Sequence, residues 1–84
     1  MNHWYVYMLR CADGSLYTGI TKDIERRVKE HNTSDRLAAR YTRSRRPVIM
    51  VWCEDHPDRS SALKREAQLK KLSRSSKEDL LTTN

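Results

Sequence analysis

Two short runs, Trp4 to Leu9 and Val48 to Cys53, are apolar at every position and rich in aromatic and β-branched residues. A half-buried strand alternates apolar with polar, so each run is read as a strand covered on both sides. After the first run, Asp13-Gly14 tolerates the positive φ of a tight turn and Ser15 to Ile20 resumes with alternation, so the two segments are expected to pair as a hairpin. The period then changes. Thr21 is a capping type, Asp23 and Glu25 fall in a first turn where the helix dipole favours acids, and Asn32 is a closing type, which predicts a helix over residues 22–31. Residues 33–46 show no clean apolar periodicity, and Leu37-Ala38-Ala39 allow one short helical turn. Pro47 opens the third strand at the position proline tolerates best. Past His56-Pro57-Asp58, a cap from Asp58 or Ser60 and the pattern Ala62, Leu63, Glu66, Leu69, Leu72 predict a helix to residue 72. A last turn over Ser76 to Leu81 follows, with fraying expected at Thr82-Thr83-Asn84.

The order strand, strand, helix, strand, helix implies an α+β layer structure, a three-stranded antiparallel or mixed sheet flanked by helices. One helix is expected on each face, because two strands without polar positions need cover on both sides. The 84 residues suit one domain, 1–84. Six-residue apolar runs fall far short of a membrane-spanning helix, and nothing reads as a signal peptide, so a cytoplasmic location is expected. Cys11 and Cys53 are too few and wrongly spaced for a disulfide framework and are read as reduced, half-buried core thiols.

Charge changes the picture. Lys and Arg number 17 against 11 Asp and Glu, a net +6 that favours a polyanionic partner through counterion release. Arg36, Arg40, Arg43, Arg45 and Arg46 surround Tyr41 with no acid after Asp35, which reads as a phosphate-backbone surface with an aromatic able to stack on a base. Lys70 and Lys71, with Lys64, Arg65 and Arg74, extend that track. Cys53, Glu54, Asp55 and His56 match no zinc spacing, and His3 and His56 are read as isolated.

Polar residues also sit where apolar ones belong. Ile24, Arg27, Val28 and His31 share one helical face, and Glu66 lies at the centre of the stripe formed by Ala62, Leu63 and Leu69. A charge taken from water without a partner costs several kcal/mol, so such residues snorkel, pair, or bind something. A structural Arg27–Glu66 ion pair is the plainest account. With Tyr7 and Tyr17, however, they form a set of phosphate-handling and metal-handling types around a thin core.

Tyr5-Val6-Tyr7 followed by Tyr17-Thr18-Gly19, with Arg27 and Glu66 downstream, resembles the GIY-YIG nuclease family over residues 4–72. Trp4 to Cys11, Tyr41-Thr42-Arg43 and Lys70-Lys71-Leu72-Ser73 look most like its small stand-alone bacterial members, the YhbQ-like group. Tyr5 replaces the first Gly and Thr18 the Ile of the paired motifs. The resemblance implies a metal-dependent endonuclease hydrolysing DNA phosphodiesters in repair or processing, with DNA ahead of RNA as partner. It assigns Tyr17 to activating the attacking water, Tyr7 to supporting the site, Arg27 to the scissile phosphate and His31 to positioning. It gives Glu66 one divalent ion, Mg²⁺ or Mn²⁺. A phenol ordinarily ionises near pH 10, about 3 units above neutrality, so the water-activating role needs a cation close by. Repair and homing members carry an asparagine after the carboxylate, whereas Lys70 to Leu80 contains none. The alternative is a catalytically weak or inactive nucleic-acid-binding module with the same fold.

Overall fold

The computed structural model describes residues 3–82. Its elements are β1 (Trp4–Arg10), β2 (Leu16–Thr21), α1 (Ile24–Thr33), α2 (Arg40–Arg43), β3 (Ile49–His56), α3 (Arg59–Lys70) and α4 (Arg74–Thr82). The sheet has the order β2-β1-β3 and is antiparallel throughout, with Tyr7 opposite Gly19 on one side and Cys53 on the other. The hairpin turn uses Gly14 at φ +85°, where a side chain would be strained. The fraying expected for Thr83-Asn84 lies outside the described residues.

Two apolar clusters lie on opposite sides of β1. Tyr7, Leu9, Cys11 and Val48 form one, capped by Val28 of α1 and by Tyr17. Val6, Ala62 and Leu69 form the other, with Trp4, Ile20, Trp52 and Leu80 around them. Each fully buried Leu or Val contributes about 1.5–3 kcal/mol, so the doubly apolar β1 carries much of the fold. The expectation of two doubly covered strands fails for β3. It is an edge strand, and Ile49 and Met50 are 61% and 41% exposed. With one strand neighbour and α3 lying chiefly over β1 and β2, part of β3 has no layer against it. For the same reason Cys53 is exposed, while Cys11 is buried.

Helix ends also differ from expectation. Asp23, not Thr21, caps α1, its carboxylate accepting from Arg26 N–H at 3.1 Å, while Thr21 Oγ1 accepts from Asp23 N–H. Asn32 does not close the helix, because its amide is taken by Val48, the residue before β3. Nδ2 donates to the Val48 carbonyl at 2.9 Å and Oδ1 accepts from Val48 N–H at 2.8 Å. Arg46 serves the orphan carbonyls at that end, donating to His31 O at 2.6 Å and Ser34 O at 2.8 Å. The short helical turn falls at residues 40–43 rather than 37–39, because Leu37 N–H is taken by Ser34 Oγ. Asp58 caps α3 as anticipated. Helix α4 is pinned to the hairpin by a two-pronged Arg10–Glu78 pair at 2.6 and 2.7 Å and by Arg74 donating to Gly14 O at 2.8 Å. No helix among the described residues is long and apolar enough to cross a membrane.

Candidate active site

Tyr7 of β1 and Tyr17 of β2 point to the face covered by α1. Gly19 is what lets them lie there. A Cβ at that position would stand 2.6 Å from Tyr7 Oη, 2.8 Å from Tyr7 Cζ and 3.2 Å from Tyr17 Cε2. His31, fully buried on α1, meets this pair from above. Its Nε2 lies 2.9 Å from Tyr7 Oη and its Nδ1 2.8 Å from Thr42 Oγ1. Thr42 Oγ1 donates to the Ala39 carbonyl at 3.0 Å, which leaves its lone pair to accept from His31 Nδ1–H. The tautomer assigned from this network therefore has Tyr7 O–H donating to Nε2. In that tautomer the Ala39 N–H, 3.4 Å from Nδ1, makes no hydrogen bond there, because Nδ1 carries the proton.

Electrostatics keeps this chain neutral. Burial, with Arg27 nearby, pushes His31 down to about 4. Burial and the neighbouring Tyr17 push Tyr7 up to about 12, Arg27 opposing and Glu66 assisting. At neutral pH Tyr7 is a phenol and His31 an imidazole, so neither carries charge. Tyr17 differs. Its ring packs edge-on to His31 with centroids 5.3 Å apart and stacks on Tyr41 at 5.8 Å. Its hydroxyl has no hydrogen-bond partner among the described residues and is not sealed from solvent.

The expected Arg27–Glu66 pair does not form. Arg27 Nη1 donates to Glu30 Oε1 at 2.9 Å and to the Leu37 carbonyl at 2.7 Å. Glu66, on α3 across the sheet, pairs with Lys70 at 3.4 Å, its side chain 18% exposed. Its charge is still felt at Tyr7. Arg27 lines a cleft of about 310 Å³ with Trp4, Ile20, Lys22 and Glu30. Tyr17 and Glu66 do not line it.

No group of three or more His, Cys, Asp or Glu side chains suited to a metal occurs among the described residues. Zinc therefore has no ligand set. A lone, partly buried carboxylate still fits Mg²⁺ or Mn²⁺, which keep waters and take further oxygens from a phosphate.

The arginine group divides. Arg36, Arg40 and Arg43 are exposed, and their guanidinium groups have no hydrogen bond or ion pair among the described residues. Arg45 pairs with Asp13 at 3.1 Å and lies 4.0 Å above the Tyr41 ring, and Arg46 pairs with Asp35 at 2.9 Å. The acid that reaches Arg45 comes from the hairpin turn, a partner no local reading could supply. Lys71 and Lys64 are exposed, whereas Arg65 is held by Glu54 at 3.0 Å. His3 and His56 are not isolated. The first contacts Asp55 at 2.8 Å, and the second bridges Glu54 and Ser61, each at 2.7 Å. Thr42 and Glu30 were missed by sequence reasoning. Thr42 gives no signal, but Glu30 stands three residues after Arg27, a spacing that brings helical side chains together.

Comparison with known proteins identifies the family. The profile of the GIY-YIG catalytic domain matches residues 3–79. The UPF0213 protein of Desulfotalea psychrophila is 56% identical over 78 residues, covering 93% of this chain and 70% of the relative. That of Syntrophus aciditrophicus is 51% identical over 84 residues, covering 100% and 95%. The solution NMR structure of the protein EF2693 from E. faecalis superposes with a TM-score of 0.67 at 45% identity, covering 99% of this chain and 86% of the other. The UPF0213 protein BH0048 from Bacillus halodurans gives 0.61 at 42% identity, covering 95% and 83%. With a catalytic-domain match over almost its whole length and relatives this similar in sequence and fold, the chain belongs to the GIY-YIG nuclease family, among its small stand-alone UPF0213 members.

Proposed function

We propose that the protein is a single-domain endonuclease that hydrolyses DNA phosphodiester bonds with a divalent ion. One observation carries this reading: the Tyr17 hydroxyl is unpartnered and reached by solvent, while its neighbours Tyr7, His31 and Thr42 are bonded to one another. The bonded set holds the Tyr17 ring by packing. That leaves one phenol oxygen free to take the proton of an attacking water. Arg27 supplies a planar, permanently charged fork for a nonbridging phosphate oxygen, once released from or shared with Glu30. Glu66 would hold Mg²⁺ or Mn²⁺, whose chemistry when bound is neutralisation of charge at phosphate oxygens. The exposed Arg36, Arg40 and Arg43 would fix the nucleic-acid backbone, with Lys71.

The test is incubation with single-stranded, duplex and branched DNA, with and without Mn²⁺, beside Tyr17→Phe and Glu66→Ala. Losing a positioned proton acceptor costs about 10²–10⁴-fold, the loss expected of Tyr17→Phe, and Glu66→Ala, which removes the carboxylate proposed to hold the ion, should lose the Mn²⁺-dependent cleavage. Cleavage surviving in both rejects the assignment. Binding by all three without cleavage establishes instead a nucleic-acid-binding module, a reading favoured by the absence of an asparagine over Lys70 to Leu80.

A further inference from the structure

A cleft of about 280 Å³ opens between the hairpin and α4, lined by Ser15, Leu16, Tyr41, Arg74 and Lys77. Its charged lining is wholly cationic. Asp13 of the turn pairs with Arg45 at 3.1 Å, and Glu78 of α4 pairs with Arg10 at 2.6 Å and, more loosely, with Arg74 at 3.7 Å. Arg74 and Lys77 are three apart on α4 and so share one face, which the Arg10–Glu78 pair and the Arg74 bond to Gly14 O dock against the turn. Lys77 is half-buried and forms no ion pair or hydrogen bond through its ammonium among the described residues. The Tyr41 hydroxyl is likewise unpartnered, and its ring stacks on Tyr17 at 5.8 Å. Arg45 beneath the Tyr41 ring at 4.0 Å adds positive charge and leaves less of that ring free for a base than the sequence suggested.

We infer that this cleft is a phosphate subsite, in which Lys77, Arg74 and the Tyr41 hydroxyl hold a backbone phosphodiester of the nucleic acid beside Tyr17. The inference rests on the nuclease reading and adds to it a place for the neighbouring phosphate and a role for α4. Two cations on a docked helix and a free phenolic donor suit a phosphodiester, which offers charge and acceptor oxygens together. A cationic ligand meets no acidic side chain in that lining. Lys77 is the clean probe, because Arg74 also fastens the hairpin.

The experiment measures binding of a fluorescein-labelled single-stranded oligonucleotide by anisotropy, in EDTA and in a Tyr17→Phe background so that no cleavage intervenes. Lys77→Ala is compared with Lys29→Ala, an equal charge change on the solvent face of α1. Lys77→Ala is expected to weaken binding about 5–10-fold and to lower the slope of log K against log salt by about 0.7. Lys29→Ala should do much less. Tyr41→Phe is expected to weaken binding with an unchanged salt slope, since it removes a donor and no charge. Equal effects of Lys77→Ala and Lys29→Ala would overturn the subsite while leaving the nuclease reading intact. Failure of the Tyr17→Phe protein itself to bind any oligonucleotide would remove both.

Discussion

Gly19→Ala is the sharpest probe of how the candidate site is built. The added carbon would stand 2.6 Å from Tyr7 Oη and 2.8 Å from Tyr7 Cζ, well inside normal contact. Tyr7 cannot swing aside, being 1% exposed, packed in the α1-side core and bonded to His31 at 2.9 Å. Overpacking of this kind costs about 1–3 kcal/mol. Breaking the Tyr7–His31 bond adds about 1 kcal/mol, and the reduced entropy of the unfolded chain returns about 0.4–1 kcal/mol. The net is about 2 kcal/mol, which for a domain this small lowers Tm by roughly 8–16 °C. Thermal melts followed by circular dichroism at neutral pH provide the assay. A second arm separates steric from general strand effects: in a Tyr7→Phe background the 2.6 Å contact is gone, so Gly19→Ala should cost less than in the parent. An unchanged Tm in Gly19→Ala, or equal costs in the two backgrounds, would show that Tyr7 is not held against β2 as described.

Other outcomes follow from the same geometry. His31 is depressed from 6.5 to about 4, so its contribution is fully present above pH 6.5 and is lost as pH falls toward 4. The loss approaches about 3 kcal/mol at one pKa unit per 1.36 kcal/mol. Denaturant melts between pH 7.5 and 4.5 should show this slope, and His31→Phe should flatten it; a parent whose stability is flat over that range contradicts a buried neutral imidazole. Thr42→Val removes the acceptor of His31 Nδ1–H and the donor to the Ala39 carbonyl and should cost about 1–3 kcal/mol in urea unfolding, whereas an unchanged stability would contradict both bonds. Arg46→Ala strips two helix-end carbonyls and an ion pair, so it should lower Tm by several degrees. Arg40→Ala should leave stability within about 0.5 kcal/mol of the parent while weakening oligonucleotide binding, and identical behaviour of the two variants would refute that division.

The alternation and the breaks along the chain were enough to place the two hairpin strands, the third strand and both longer helices, because these follow from burial periodicity and capping chemistry, but not to show that the third strand lies at the sheet edge. Polar residues on apolar stripes were legible too. His31 and Glu66 stood out because charge and imidazole rarely occupy such positions without a partner. What each residue bonds to was decided only by the assembled fold. Thr42 reaches His31 across eleven positions, Asp13 reaches Arg45 across thirty-two, and Arg27 turns to Glu30 rather than to Glu66. The reason is physical. Periodicity reports which face of an element is buried, a property of each segment alone, whereas partner choice depends on which side chains the sheet and its two helical layers bring within about 3 Å.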